Sequence, residues 1–245
     1  MSEPSPDNKR DLPVIHLLPN LLTITAICAG LTAVSFGYQG DFETAVKLVL
    51  LAVVLDGLDG RLARLMHSQS SFGAELDSLA DFVNFGVAPG LILYVWALQD
   101  FSAGWLAVLG YVVCCMLRLA RFNVTNKSAT ENTQSDFFEG VPSPAAALLI
   151  MLPMYVSFLF PDMPLAPPVL IAGYLLVVGV LMISRVPSYS FKNISISRGN
   201  AKFLMLGFAL LLSALLIYLW ATLALISIIY IVSLVLAHYA ARKSN

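Results

Sequence analysis

The sequence predicts an all-α integral membrane protein, a bundle of about eight transmembrane helices. Of its 245 residues, 58% are hydrophobic and 12% are charged, whereas soluble domains usually have about 45–50% apolar and about 25% charged residues. Long apolar runs recur along the chain, each close to the roughly 20 residues that a spanning helix needs. The net charge of −1 does not favour a nucleic-acid partner, and none is expected; the expected surroundings are a lipid bilayer.

The apolar runs divide the chain into candidate spans in order. These are roughly 17–38, 42–66, 71–98, 102–122, 143–160, 165–184, 202–219 and 222–240. The last two are separated on length, because a single helix over 202–240 would be about 57 Å long, nearly twice the hydrocarbon thickness of about 30 Å. The expected turn lies near Ala221. A polar segment, 1–16, precedes the first span and is predicted to be a cytosolic tail.

The positions of the basic residues predict the orientation. With eight spans both termini share one side, and every Lys and Arg except Lys47 falls on that side. The opposite loops carry Asp41, Glu43, Asp100 and Asp162. The positive-inside rule makes the basic side cytoplasmic. Both termini are therefore expected in the cytosol, with the chain in the plasma (cytoplasmic) membrane.

Ionisable residues concentrate in the hairpin formed by the second and third spans. Such groups are costly inside a membrane and usually mark a functional site. On an ideal helix Asp56 and Asp59 share one face. On the next helix Asp77 and Asp81 are four residues apart and also share a face. With a turn near Ser68, Asp56 lies as deep as Asp81 and Asp59 as deep as Asp77, so four carboxylates are expected to converge.

Four carboxylates this close would repel and take up protons unless cations neutralised them. Oxygen ligands suit hard ions, Mg²⁺ or Mn²⁺. A cluster of this kind can hold two divalent cations about 3.5–4 Å apart, as in phosphoryl-type displacements. Arg64, one turn nearer the cytosol, is suited to clamping a phosphate. The expected active site therefore faces the cytosol.

Two other interpretations of the hairpin were weighed. The charges could form interhelical ion pairs, but Arg61 and Arg64 cannot balance five acidic residues. A proton or cation transporter with an acidic relay inside the membrane fits the pattern better, and it stays open as an alternative of a different class.

The hairpin resembles the signature of the CDP-alcohol phosphotransferase family, D-x2-D-G-x2-A-R-x8-G-x3-D-x3-D, with every spacing met. The resemblance implies that family's fold and a metal-dependent transfer of a phosphatidyl-type group from a CDP-linked donor to an alcohol, with release of CMP. It implies that Asp56, Asp59 and Asp77 are metal ligands and that Asp81 is both ligand and general base. A homodimer is also implied. The matching positions are Asp56, Asp59, Gly60, Ala63, Arg64, Gly73, Asp77 and Asp81.

The same resemblance implies a CDP-binding shell around the aspartates. Ser70 is a candidate diphosphate contact. The start of the first span, LPNLLT, is similar to the family's P-N-x2-T entry and adds Asn20 and Thr23 as nucleotide contacts, with helix capping as the structural alternative. The remaining members of the predicted shell are Gly60, Ala63, Arg64 and Gly73.

Four further stretches resemble the phosphatidylserine synthase branch: DFVNFGVAP (81–89), RLARFN (118–123), FEGVPSPAAA (138–147) and SRVPSYSFK (184–192). They imply CDP-diacylglycerol and L-serine as substrates, in phospholipid biosynthesis. The implied organisation is a tail (1–16), a phosphotransferase core (17–192) and a C-terminal pair of spans with a short cytosolic tail (193–245). Sister enzymes that use glycerol 3-phosphate, inositol phosphate or choline remain alternatives.

Serine brings a carboxylate as well as its hydroxyl, so cations near the cavity are candidates for binding it. Two arginines of the fourth span are three residues apart and can share one helix face. Membrane anchoring is the alternative role for the arginines, and a satisfied interhelical amide is the alternative for the asparagines. The candidate serine-binding residues are Asn84, Arg118, Arg121, Asn123 and Arg185.

Overall fold

The computed structural model describes residues 17–66, 68, 70–128, 138–184, 187–188 and 201–243. The predicted N-terminal tail, 1–16, and Arg185 lie outside these residues. Nearly all of the described chain is helical, which confirms the predicted all-α class. The α-helices are α1 (Leu18–Tyr38), α2 (Phe42–Leu65), α3 (Ser71–Asp81), α4 (Ala88–Leu93), α5 (Gly104–Ser128), α6 (Ser143–Ile150), α7 (Leu152–Leu159), α8 (Pro168–Ile183), α9 (Ala201–Ile217) and α10 (Leu219–Lys243).

Each predicted span coincides with one helix or with a broken helix. Within the described part of the chain, four stretches are long and apolar enough to cross a membrane: Leu18–Tyr38, Ser71–Leu98, Gly104–Thr125 and Leu219–Ala237. Three further helical stretches are apolar but shorter: Ser143–Leu159, Pro168–Ile183 and Met205–Ile217. The protein is therefore a multi-pass membrane protein, whereas the number of eight spans stays a prediction.

The third span is not a regular helix. Two π-helical segments, Phe82–Val87 and Tyr94–Leu98, flank α4 within it. The span at 143–160 is also broken, because α6 ends at Ile150 and α7 begins at Leu152. Pro89 and Pro153 lie in or next to these irregularities, where each removes a backbone donor from its helix.

The last two helices are separated at Tyr218, three residues before the predicted turn. Tyr218 N still donates to Ala214 O (2.8 Å), and Thr222 N donates to Tyr218 O (2.9 Å). The Thr222 hydroxyl donates back to Ala214 O (3.1 Å). A side-chain hydrogen bond thus stabilises a turn that has neither Gly nor Pro.

Two short strands, β1 (Phe138–Glu139) and β2 (Pro187–Ser188), pair antiparallel and were not predicted. They lie next to Gly140, whose φ is 81°. A Cβ at this position would come within 2.6 Å of Met182 O, so only glycine fits this left-handed and crowded position. Val141 N then donates to Leu181 O (3.3 Å), which fixes the start of α6 against the end of α8.

The helices that carry the aspartates pack on α1. Asp41 caps α2 by accepting a hydrogen bond from Thr44 N (3.1 Å), and the hydrogen bonds from Thr44 hold the pKa of Asp41 below its ordinary value. Ser70 caps α3 by accepting from Gly73 N (3.0 Å). Helices α2 and α3 both pack against α1, which brings their polar faces to the same place.

Candidate active site

The carboxylates of α2 and α3 meet in one cluster. One carboxylate oxygen each from Asp56, Asp59 and Asp77 lies within 4.8 Å of the others. Asp59 is buried, with 3% of its surface exposed, and Asp56 and Asp77 are partly buried. The two helices therefore converge in the way that depth matching along the sequence predicts.

Asp81 lies one turn beyond Asp77 on the same helix, close enough to Asp56 for the two carboxyl groups to interact. Asp59 Oδ1 and Asp81 Oδ1 are both buried without a hydrogen-bond partner. Within the described residues no ion pair joins a Lys or Arg to these four aspartates. Buried charges are normally paired or bound to metals, so the donor set fits divalent cations.

Thr23 of α1 orients one member of the cluster. Its hydroxyl lies 2.6 Å from Asp59 Oδ2, to which it donates, and 3.1 Å from Pro19 O. Thr23 is itself buried, with 4% of its surface exposed. The sequence predicts that Thr23 contacts the nucleotide, which stays a prediction; in the structure its hydroxyl donates to a carboxylate of the cluster.

Replacing Thr23 by Val is expected to lower the catalytic rate about tenfold or more. The change keeps the shape of the side chain and removes a hydrogen bond to a charged group, which contributes roughly 1.5–3 kcal/mol. The matched control is Thr25→Val, which removes an exposed hydroxyl bonded to Leu21 O (2.7 Å) on the same helix. Steady-state kinetics on both purified variants checks the prediction, and equal losses in the two would contradict it.

Three members of the predicted CDP shell lie where α1 meets α3. A Cβ added at Gly73 would come within 3.0 Å of Asn20 Oδ1 and 3.1 Å of Ser70 Oγ. Gly73 therefore lets Asn20 and Ser70 approach the first turn of α3. The structure therefore brings these three residues together about one helical turn before Asp77.

The other members of the shell lie along α2, toward its last turn. A Cβ added at Gly60 would meet no atom of the described residues within 4 Å, so within this part of the chain the space in front of Gly60 is open. Ala63 is partly buried and Arg64 is exposed. This face of α2 is therefore free to receive a ligand.

Arg118, a candidate serine-binding residue, lies close enough to the aspartates for its charge to interact with Asp81. Arg118 Nη1 donates to Ser143 Oγ (2.8 Å), while Arg118 Nε is buried without a partner. The sequence analysis did not identify Ser143 as a site residue, although it lies within FEGVPSPAAA. Its position as the first residue of a helix, directly after Pro142, was the one feature of the sequence that could have indicated it.

Asn84 is fully buried, and neither polar atom of its amide has a hydrogen-bond partner. It packs against Gly30 of α1, where an added Cβ would overlap Asn84 Oδ1. Asn84 lies three residues after Asp81. Its amide group is therefore close to the cluster and uncommitted.

Two other candidates are committed elsewhere. Asn123 exchanges hydrogen bonds with Ser78 Oγ (3.0 and 3.1 Å), which ties α5 to α3. Arg121 is exposed, and its Nη1 donates to Ile183 O (3.4 Å) at the end of α8. The Asn123 contact has the form of the interhelical amide that the sequence left open as its structural alternative, and serine binding by either residue stays a prediction. Arg185 lies outside the described residues.

Comparison with known proteins gives a consistent picture. Residues 16–184 match the family model described as CDP-alcohol phosphatidyltransferase. A Mycobacterium tuberculosis protein named CDP-diacylglycerol–serine O-phosphatidyltransferase is 48% identical over 135 residues, 55% of this chain and 47% of that protein. The chain thus spans about half the length of its mycobacterial relatives.

Proteins with the same name occur in Helicobacter pylori and Bacillus subtilis. The Helicobacter pylori (strain J99) protein is 38% identical over 182 residues, 74% of this chain and 75% of the relative. The Bacillus subtilis protein is 32% identical over 179 residues, 73% of this chain and 93% of the relative. The matched segment therefore extends over nearly the whole of the shorter relative.

Proposed function

The chain belongs to the CDP-alcohol phosphatidyltransferase family, and on that premise we propose that it transfers the phosphatidyl group of CDP-diacylglycerol to the hydroxyl of L-serine. The products are phosphatidylserine and CMP. The observation that carries the proposal is the cluster in which one carboxylate oxygen each from Asp56, Asp59 and Asp77 lies within 4.8 Å of the others, with Asp81 one turn farther along α3. Three relatives that carry the name of this activity support serine as the acceptor.

The four aspartates would hold two divalent cations, Mg²⁺ or Mn²⁺. The unpartnered buried oxygens of Asp59 and Asp81 fit ligands of a hard cation. When bound, the ions supply positive charge that neutralises the diphosphate and stabilises the charge developing on it. Thr23 keeps Asp59 in one orientation for this role through its 2.6 Å hydrogen bond.

The protein side chains then act on the acceptor and the donor. Asp81 takes the proton of the serine hydroxyl, which lets the serine oxygen attack the phosphorus bonded to diacylglycerol. The bond between that phosphorus and the CMP oxygen breaks, and CMP leaves with the bonding electrons. Arg64 pairs with a phosphate oxygen of the donor at the cytosolic end of α2. Asn20, Gly60, Ala63, Ser70 and Gly73 form the rest of the CDP shell.

Arg118 is the strongest candidate for binding the serine carboxylate. Its Nε has no partner, its Nη1 is fixed by Ser143, and it lies near the proposed base. A guanidinium can bind a carboxylate through two parallel hydrogen bonds. The buried amide of Asn84 is a second contact for serine, and Arg121, Asn123 and Arg185 would lie farther out.

The finer features of the proposal concern the membrane and the assembly. The active site and both termini would face the cytosol in the plasma membrane, since the arginines of the signature region lie on the side that the positive-inside rule makes cytoplasmic. The polar tail would be 1–16, the catalytic core 17–192 and the C-terminal pair 193–245. The functional unit would be a homodimer.

The proposal is tested by CMP release from CDP-diacylglycerol, with the purified protein and one alcohol at a time. L-serine should support CMP release at least about tenfold faster than glycerol 3-phosphate, inositol phosphate or choline. These alcohols have no carboxylate, so they would leave the carboxylate-binding groups of the site unpaired. If the protein prefers another of these alcohols, its activity is that of a sister enzyme that uses that alcohol. Solute or proton transport in proteoliposomes without any release of CMP would replace the enzyme by a transporter.

A further inference from the structure

A proline removes one backbone hydrogen-bond donor from the helix next to the active site. In an α-helix the carbonyl of Phe85 would accept a hydrogen bond from the amide of the residue four positions on. That residue is Pro89, which has no N–H. The π-helical segment Phe82–Val87 begins directly after Asp81, and Ala88 N donates to Val83 O, five residues back. The irregular turn thus lies immediately behind the proposed base.

A tyrosine from another helix supplies the missing donor. The Tyr111 hydroxyl of α5 donates to Phe85 O at 2.8 Å, and Tyr111 is fully buried. Two glycines of the turn let α5 approach closely. A Cβ added at Gly86 would come within 3.0 Å of Cys115 Sγ, and one at Gly90 within 3.4 Å of Val108. In a bilayer a freed carbonyl must be satisfied by such a neighbour, because no water is available.

We propose that Tyr111 is a positioning residue for the reaction: its hydroxyl replaces the N–H that Pro89 lacks and so fixes the π-helical turn that orients Asp81 and Asn84. π-helical turns of this kind occur frequently at functional sites. Here the turn sets the direction in which Asn84 leaves the helix relative to Asp81. The inference rests on the proposed function only in that Asp81 and Asn84 act on the acceptor.

The chain contains a matched control for this contact. Tyr174 of α8 donates to Leu149 O (2.7 Å), and the residue four positions after Leu149 is Pro153. The same device therefore occurs at the break between α6 and α7. Leu149 lies about 9 Å along α6 from Ser143, away from the aspartates, so losing this hydrogen bond should leave catalysis nearly unchanged.

The test compares Tyr111→Phe, Pro89→Ala, the double variant and Tyr174→Phe by CMP release and by thermal unfolding in detergent. Tyr111→Phe should lower kcat about 3- to 10-fold with little change in the KM for CDP-diacylglycerol, and Tyr174→Phe should change kcat less than about twofold. Pro89→Ala adds a backbone N–H that can donate to Phe85 O, four residues back, in α-helical geometry. Tyr111→Phe should therefore lower kcat less than about twofold when Pro89→Ala is also present.

An equal loss of kcat from Tyr111→Phe with and without Pro89→Ala would overturn the inference, because it would show that the hydroxyl acts through something other than Phe85 O. So would unchanged kcat in Tyr111→Phe, or equal losses in Tyr111→Phe and Tyr174→Phe. Failure of the proposed function would appear separately, in the wild-type protein, as CMP release with another alcohol but not with serine. The four variants are then compared with that alcohol.

Discussion

Asp81→Asn is expected to lower the rate of CMP release about 10²- to 10⁴-fold, the range that a positioned general base contributes. Asparagine keeps the size of the side chain but can neither accept the serine proton nor supply the negative charge that a cation requires. The measurement is kcat with both substrates saturating. The protein should stay folded, since Asp81 Oδ1 has no hydrogen-bond partner to lose.

Glu75→Gln is the control for this variant. Glu75 lies on the same helix as Asp81, is exposed, and is outside the carboxylate cluster. It should retain activity close to that of the wild type. If Asp81→Asn retains more than about a tenth of wild-type kcat, Asp81 is not the base.

Removal of divalent cations is expected to abolish turnover, lowering the rate by more than about 10²-fold. The carboxylates would be left facing one another, and the diphosphate would have no charge to neutralise it. Protein treated with a chelator should show no CMP release above background. Added Mg²⁺ or Mn²⁺ should restore CMP release. The activity of each metal at saturation identifies the preferred ion.

Asp77→Asn sharpens the metal experiment. Loss of one ligand of the cluster should raise the cation concentration for half-maximal activity by about tenfold or more. Glu75→Gln again serves as the control, with an unchanged metal requirement. Turnover that resists chelation in the wild type would contradict the proposed metal site.

The aspartate cluster was predictable because the hairpin is local. Helices α2 and α3 are joined by a short loop and both pack on α1, so residues equally far from the turn lie at similar depth. The helical period alone decides which of these residues face each other. For this reason the convergence of Asp56, Asp59 and Asp77, and the position of Asp81 beside Asp56, follow from spacing before any packing is known.

The partners of these residues were not predictable in the same way. Thr23 reaches Asp59 from α1, and Ser143 reaches Arg118 from α6, so each contact depends on how distant segments pack. The hydrogen bond from Tyr111 to Phe85 O is of the same kind. Pro89 indicates a free carbonyl in the sequence, but nothing local indicates which helix supplies its donor.

The irregular positions also depended on contacts made after folding. The turn at Tyr218 uses the Thr222 hydroxyl, whereas the sequence offered neither Gly nor Pro to mark it. The pairing of β1 with β2 joins two short segments whose composition resembles that of loops. The helices still coincide with the predicted spans to within a few residues, because the length of an apolar run is a property of the sequence alone.

The most direct test of the account follows both halves of the transfer in one reaction. Purified protein is given CDP-diacylglycerol, a divalent cation and L-serine carrying an isotopic label, and the CMP released is compared with the label recovered in the lipid phase. We predict one labelled lipid for each CMP, with both products lost together in Asp81→Asn. Release of CMP without label in the lipid would contradict transfer to serine. Wild-type yields of both products from Asp81→Asn would contradict the role of Asp81 as the base.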